Sequence, residues 1–328
     1  MANVYFTTGE EAQRLGSRHP TIYPYNAFET KDGHIVVAAF TQVFWRKFCK
    51  VLGREDLPDN PRYATFADRH RNRPELGAIL EAIMRSRTTA EWEEALRAGD
   101  VPNGPVNSVA QAIEMEQTRE RGMVVEMEHP VAGRIRTLGT PFHFAWPGGA
   151  EFHPERRPAP VLGEHTRSVL RELLGYDAAG IAQLEADKVV GVAAVAGETT
   201  ATRRAAPVVA QPAPAQVAGA ADALPLAGLR VIDLTRMFAG PYGAQILADL
   251  GAEVIKVEEP RVGDPTRRNI PFIGEESTYF MSVNRGKKSV VLDLKTPGGR
   301  QALLDLAAKS DVLLENYRVG VMDRLGLS

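Results

Sequence analysis

The chain has 328 residues, about two domains' worth, with 39 Lys and Arg against 41 Asp and Glu and a formal net charge of −2. That balance excludes the cationic field needed for nucleic acid or an anionic membrane surface, and a composition 44% hydrophobic and 24% charged suits sizeable cores. One cysteine, Cys49, excludes disulfide frameworks and cysteine metal clusters. The longest apolar stretch, near Val189 to Gly197, falls far short of the ~20 residues of a membrane span. The N-terminus lacks a signal peptide's basic start, apolar core and cleavage site, so these features predict a soluble cytoplasmic protein.

In chain order, Lys31-Asp32-Gly33 between NAFET and HIVVAAF predicts a hairpin. A helix is expected from Gln42 to Leu52, stopping at Gly53. Leu76, Ile79, Leu80 and Ile83 recur at i, i+3, i+4 and i+7, the spacing of a helix with one face on a core. Thr88 and Glu91 read as a capping box opening a helix closed at Gly99. MVVEME and RIRTLG flank HPVAG as a second hairpin, and a further helix is expected around Thr166 to Leu174.

From Gly191 to Leu224 the chain turns Ala- and Pro-rich, without aromatics or amphipathic period. Such composition cannot bury enough apolar surface to offset its ordering entropy, so 191–224 is expected to link two parts, 1–190 and 225–328. Beyond it the pattern is β-α-β: strand 229–234, helix 241–250 ended by Gly251, strand 253–258 and strand 289–294. Thr296 and Pro297 are good cap and first-turn residues for a helix through Leu303, Leu306 and Ala307, leading into strand 311–316. The fold class expected is α/β: a Rossmann-like parallel-sheet piece, an α+β small domain and a flexible linker.

The first β-α turn, Thr235 to Gly243, is the main candidate for an anionic ligand, because helix N-termini at strand carboxyl ends gather backbone N–H groups. It is not a G-x-G-x-x-G fingerprint, since only Gly240 and Gly243 are present with a proline between them. Glu258, ending the next strand, could imitate a ribose-binding acid, but ordinary turn chemistry explains the glycines as well. Arg285, Lys287 and Lys288 crowd three cations into five residues, as a solvated turn or an anion contact, to which Lys295 would add. Arg318 and Arg324 follow the last strand. The seven histidines all precede the linker and lack metal spacing, and most are expected at the surface or in caps. No G-x-S-x-G, P-loop or H-E-x-x-H is present.

The run PLAGLRVIDLTRMFAGPYGAQILADLGAEVIKVEEPRVGDPTRR, continued by STYFMSVNRGKKSVVLDLKTPGGRQALLDLAAKSDVLLENYRVGVMDRLGL, resembles the N-terminus of family III (CaiB/BaiF) CoA-transferases. It covers 225–328. Residues 7–190 resemble the family's later part, through HPTIYPYNAFETKDGHIVVAAF, VPNGPVNSVAQA and RRPAPVLGEHTRSVLRELLG. The order is inverted relative to a family member, which implies a tandem fusion holding the end of one copy and the start of the next; a circular permutant would lack the central stretch. The resemblance implies CoA transfer between carboxylic acids through an aspartyl-CoA thioester. Substrates would be an acyl-CoA and a carboxylate acceptor, without metal, in an interlaced dimer or pseudo-dimer. An acyl-CoA racemase of the same fold and a non-catalytic CoA-binding fragment are the alternatives.

The family's nucleophile falls in the missing stretch, so no catalytic residue is assigned; Asp233, Asp249 and Asp293 match structural or CoA-side positions. Implied CoA contacts are Arg236, Phe238 and Ala239 in the first turn, and Leu292, Asp293, Leu294 and Lys295 on the LDLK segment. Asn316, Tyr317, Arg318 and Arg324 complete the set. Phe238 stands where formyl-CoA transferase has a glutamine, and Glu259 where it has a CoA-binding arginine.

Overall fold

The computed structural model describes residues 2–9, 11, 14–143, 157–192 and 224–327. It is mixed α/β and divides into two units, Met1–Glu114 and Met115–Ser328. The break lies well before the compositional change at 191–224; within that segment, 193–223 lies outside the described residues. Of its first two residues, Gly191 belongs to a strand.

The first unit opens with α1 (Ala2–Thr8) and the hairpin β1 (Tyr25–Glu29) and β2 (His34–Ala38), paired antiparallel. Helix α2 (Gln42–Val51) starts where Thr41 accepts the Phe44 N–H at 3.1 Å. After α3 (Phe66–Arg71) and α4 (Arg73–Met84), helix α5 (Thr89–Ala98) carries the expected Thr88–Glu91 capping box. Strand β3 (Asn103–Pro105) adds to β2, and α6 (Val109–Glu114) closes the unit. The α2, α4 and α5 faces bury Trp45, Phe48, Leu76, Leu80 and Trp92 against Phe28, Ile35 and Val37 of the hairpin. Arg69 is enclosed in that core; its guanidinium donates to the Tyr23, Tyr63 and Ala64 carbonyls and lies over Trp45 at 5.1 Å. Those bonds offset the cost of burying a cation.

The second unit begins with α7 (Glu116–Glu120), then the expected second hairpin, β4 (Val124–His129) and β5 (Gly133–Leu138). The helix expected at 166–174 is a single α turn, α8 (Thr166–Ser168), continued by a π turn over Val169–Leu173. Next come α9 (Ala178–Ala186) and a two-residue strand, β6 (Val190–Gly191). Strand β7 (Arg230–Asp233) leads to α10 (Ala239–Asp249), which starts two residues before Pro241. A first-turn proline forfeits only an N–H that has no helical partner.

Strand β8 (Glu253–Glu258) precedes a 3-10 turn at Pro265–Arg268, the short strands β9 (Phe272–Ile273) and β10 (Glu276–Ser277), and α11 (Thr278–Asn284). Strand β11 (Lys288–Leu292) stops short of the expected 294, because Asp293 turns the chain: its carboxylate accepts the Lys295 N–H at 3.0 Å. Helix α12 (Pro297–Ala307), capped by Thr296, leads to β12 (Val312–Leu314) and α13 (Val321–Leu325).

The sheet order is β12-β7-β8-β11-β6. The first four strands are parallel, and β6 joins antiparallel at one edge. Residues before the compositional break therefore complete a sheet built after it. The Gly163 N–H donates to Ser289 Oγ at 2.9 Å, the Val291 N–H to Thr166 Oγ1 at 3.0 Å, and the Asp293 N–H to the Val189 carbonyl at 2.7 Å. Val169, Leu170, Ile181 and Val190 share one core with Ile232, Ile255, Val290 and Leu303. Each such side chain contributes roughly 1.5–3 kcal/mol on full burial.

Candidate functional site

Because β7, β8, β11 and β12 run parallel, the segments that follow them all emerge at one edge of the sheet. There they enclose an open cleft of about 620 Å³ lined by Arg236, Met237, Val257 to Glu259, Pro265, Leu292 to Lys295, Asn316 to Arg318, Val321 and Leu325. Carboxyl ends of parallel strands are where open α/β sheets bind ligands.

The first turn is held from both sides. The Asn316 amide accepts the Arg236 N–H and donates to the Arg236 carbonyl, both at 2.9 Å. The Arg236 guanidinium lies 5.2 Å from the Tyr317 ring centre, a cation–π contact. Beneath, Asp233 Oδ1 accepts the Thr235 N–H at 2.9 Å, and Lys256 Nζ donates to the Thr235 carbonyl at 2.8 Å. Lys287 Nζ donates to Asp233 Oδ2, the Pro241 carbonyl and Asn284 Oδ1 at 2.8, 2.8 and 2.9 Å. Burial pushes the Asp233 carboxyl up, yet the ammonium groups of Lys287 and Lys256 hold it below its ordinary value. The turn so held contains Met237 at φ 71°, a left-handed conformation that costs a non-glycine residue about 1–2 kcal/mol. Such strain persists only where the surroundings impose it.

Of the eleven residues implied as CoA contacts, eight line the cleft: Arg236, Leu292, Asp293, Leu294, Lys295, Asn316, Tyr317 and Arg318. The other three do not. Phe238 faces outward beside the cleft, stacked on Tyr242 with ring centres 5.8 Å apart and edge-on to Tyr279. Ala239 begins α10, and Arg324 lies on α13 between the lining residues Val321 and Leu325. Arg318 is exposed without a side-chain partner among the described residues. Glu259 completes the charge set: Lys295 Nζ donates to it at 2.8 Å, and Arg236 Nη2 lies 3.7 Å away. The Lys295 hydrogen bond holds its carboxyl below the usual carboxylate range.

Two sequence expectations are corrected. Arg285, Lys287 and Lys288 form neither a solvated turn nor an anion contact in the cleft. Arg285 and Lys287 precede β11 and Lys288 opens it, so their backbone lies at that strand's far end from the cleft, and each side chain is paired internally: Arg285 with Asp249, Lys287 with Asp233, Lys288 with Glu253. Glu258 cannot serve a ribose, since Arg267 grips both its oxygens at 2.8 Å and Ser289 Oγ and the Asp264 N–H also donate to it. The partners Lys256, Asp264 and Arg267 went unremarked in the sequence, where only a lysine inside an apolar strand hinted at a buried pair.

His129 and His19 cap local turns through Nδ1, as expected, while His153 lies outside the described residues. Among the described residues no group of acids, histidines and cysteine is arranged to hold a metal ion, and no helix is long and apolar enough to cross a membrane.

The profile of CoA-transferase family III matches residues 1–166 and 226–328. The chain is 38% identical over 181 residues to human succinyl-CoA:glutarate CoA-transferase, covering 55% of this chain and 40% of that protein. It is 55% identical over 104 residues to acetyl-CoA:oxalate CoA-transferase of Acetobacter aceti, covering 32% and 27%. A CaiB/BaiF family protein from Brucella suis, of solved structure, is 29% identical with a TM-score of 0.42, covering 52% of this chain and 43% of that one. The chain thus spans 40% or less of the length of these two curated relatives.

Proposed function

Given that the chain belongs to CoA-transferase family III, we propose that its parent activity is transfer of coenzyme A between carboxylic acids, and that the cleft at the sheet's carboxyl edge seats the CoA. The observation that carries this reading is the convergence of Arg236, Lys295 and Arg318 with the strained first turn on one cleft of about 620 Å³. The cations suit the nucleotide's phosphates, and the apolar walls from Val257, Leu292, Leu294 and Tyr317 suit its adenine or pantetheine portions. Phe238, Ala239 and Arg324 would act from the rim.

The chemistry proposed for the parent protein is covalent. An aspartate attacks the acyl-CoA thioester carbonyl, forming a mixed anhydride and releasing CoA thiolate. The thiolate attacks the aspartyl carbonyl, yielding aspartyl-CoA and the free acyl carboxylate, and the acceptor carboxylate then takes the CoA by the reverse steps. Among the described residues, each acid that lines the cleft is already engaged by the protein. Asp293 accepts the Lys295 N–H, Glu258 is held by Arg267 and Ser289, and Glu259 by Lys295. That observation favours, for this chain, binding without turnover.

The inverted order of the two family segments supports a tandem fusion of copies. The bonds from Gly163, Thr166 and Val189 to β11 and its following turn explain how pieces of different order share one core. Val312 and Leu313, about two-fifths exposed on edge strand β12, support association with further chain or with a second copy.

Isothermal titration of the chain with free CoA tests the reading. Weak binding is expected, reduced at least several-fold by Arg236→Ala and Lys295→Ala. A folded chain that gives no binding, or binding indifferent to both substitutions, would refute it.

A further inference from the structure

We infer that Glu259 is a built-in competitor for the ligand's phosphates, occupying the cleft's cations and setting the affinity and salt sensitivity of anion binding. The inference rests on the CoA reading of the cleft but concerns a different property of it.

Glu259 is the residue directly after β8, so its side chain is delivered to the edge where the cleft opens. Its two oxygens divide between two cations from different segments: Oε1 accepts from Lys295 Nζ at 2.8 Å, and Oε2 lies 3.7 Å from Arg236 Nη2. Arg268, in the 3-10 turn, adds a third positive neighbour. The glutamate is one-third exposed and Lys295 largely so, at 34% and 73%, so the pair can separate without disturbing a core.

By contrast, the neighbouring Glu258 is sealed beneath the cleft by Arg267, Ser289 and a backbone N–H. Two adjacent acids thus have opposite situations: one is structural, the other engages cations that face the cleft. A phosphate entering the cleft must first draw Lys295 and Arg236 away from the carboxylate. It then binds beside a charge of its own sign. Both effects oppose polyanionic ligands, and both vanish when the carboxylate becomes an amide of the same shape.

The test titrates the wild-type chain and the Glu259→Gln, Lys295→Gln and doubly substituted variants with CoA and, separately, with inorganic pyrophosphate, each at several salt concentrations. Glu259→Gln is expected to tighten binding of both probes by about three- to tenfold, the scale of partly exposed charge interactions, and to steepen the loss of affinity with salt. Lys295→Gln should cost more affinity when Glu259 is already Gln, because the ammonium is then no longer shared between the carboxylate and the ligand. A merely structural glutamate would show neither the steeper salt response nor that dependence on background. Equal or weaker binding by Glu259→Gln, or no binding of either probe to it, overturns the inference. Tightened pyrophosphate binding with CoA bound by no variant upholds the competitor and rejects the CoA reading instead.

Discussion

Lys287 Nζ lies 2.8 Å from Asp233 Oδ2, and neither side chain has measurable exposure. This pair sits under the β7–α10 turn, and Lys256 Nζ lies 3.9 Å from the same Asp233 oxygen and 2.9 Å from Asp264. The turn's carbonyls at Thr235 and Pro241 each accept from one of the two lysines. The conformation that faces the cleft is therefore set by charges the cleft never touches.

Removing one member of that pair should be costly. Lys287→Met leaves the buried Asp233 with a more distant partner, and breaking a buried pair typically costs about 3–5 kcal/mol. Urea unfolding of the variant should show that loss. Burial pushes Lys287 down to about 8, against the pull of Asp233. The unfolded lysine titrates near ~10.4, so between those values the unfolded state binds more protons and this group's contribution to stability rises with pH. The stability difference between wild type and Lys287→Met should accordingly change between pH 8 and 10.5 and be flat from pH 6 to 7.5. A difference independent of pH throughout would show that Lys287 is not perturbed.

Gly299 permits the turn that carries Asp293 to Lys295. A Cβ there would lie 2.0 Å from the Asp293 carbonyl oxygen, part of the backbone. Gly299→Ala is expected to destabilise by about 1–3 kcal/mol, as overpacking does, and to weaken CoA binding at once by moving Lys295. Thermal unfolding and titration together check this; unchanged values in both would contradict it.

Limited proteolysis should cut within 193–223, where Ala- and Pro-rich sequence offers nothing to bury. The halves should nevertheless stay together, because 157–192 and 224–327 share a core and hydrogen bonds across β11. Two bands on a denaturing gel with one peak in gel filtration is the expected result. Separation of the halves under native conditions would argue against the shared core.

Incubation with an acyl-CoA and hydroxylamine, followed by peptide mass spectrometry, should yield no aspartyl hydroxamate. Asp233, Asp249 and Asp264 are buried in ion pairs, and Asp293 is occupied in its turn. A hydroxamate at any aspartate, with turnover above background, would identify a nucleophile within this chain.

Much of this was legible in the chain itself. The hairpins, the capped helices and the strands of the parallel sheet follow from local periodicity, turn chemistry and caps, all of which act over a few residues. Of the eight cleft residues, Arg236, Lys295 and Arg318 were reachable because carboxyl ends of parallel strands converge whatever lies between them in sequence, whereas Leu292, Asp293, Leu294, Asn316 and Tyr317 came only from the family resemblance. Local pattern could not reveal that 157–192 bonds to β11 from more than 120 positions away, as Thr166 does to Val291. Nor could it show that Arg285, Lys287 and Lys288 turn inward, or that Glu259 engages Lys295 from 36 positions away. A charge's role depends on which opposite charge the fold brings within about 4 Å of it, and that distance exists only once the chain has closed on itself.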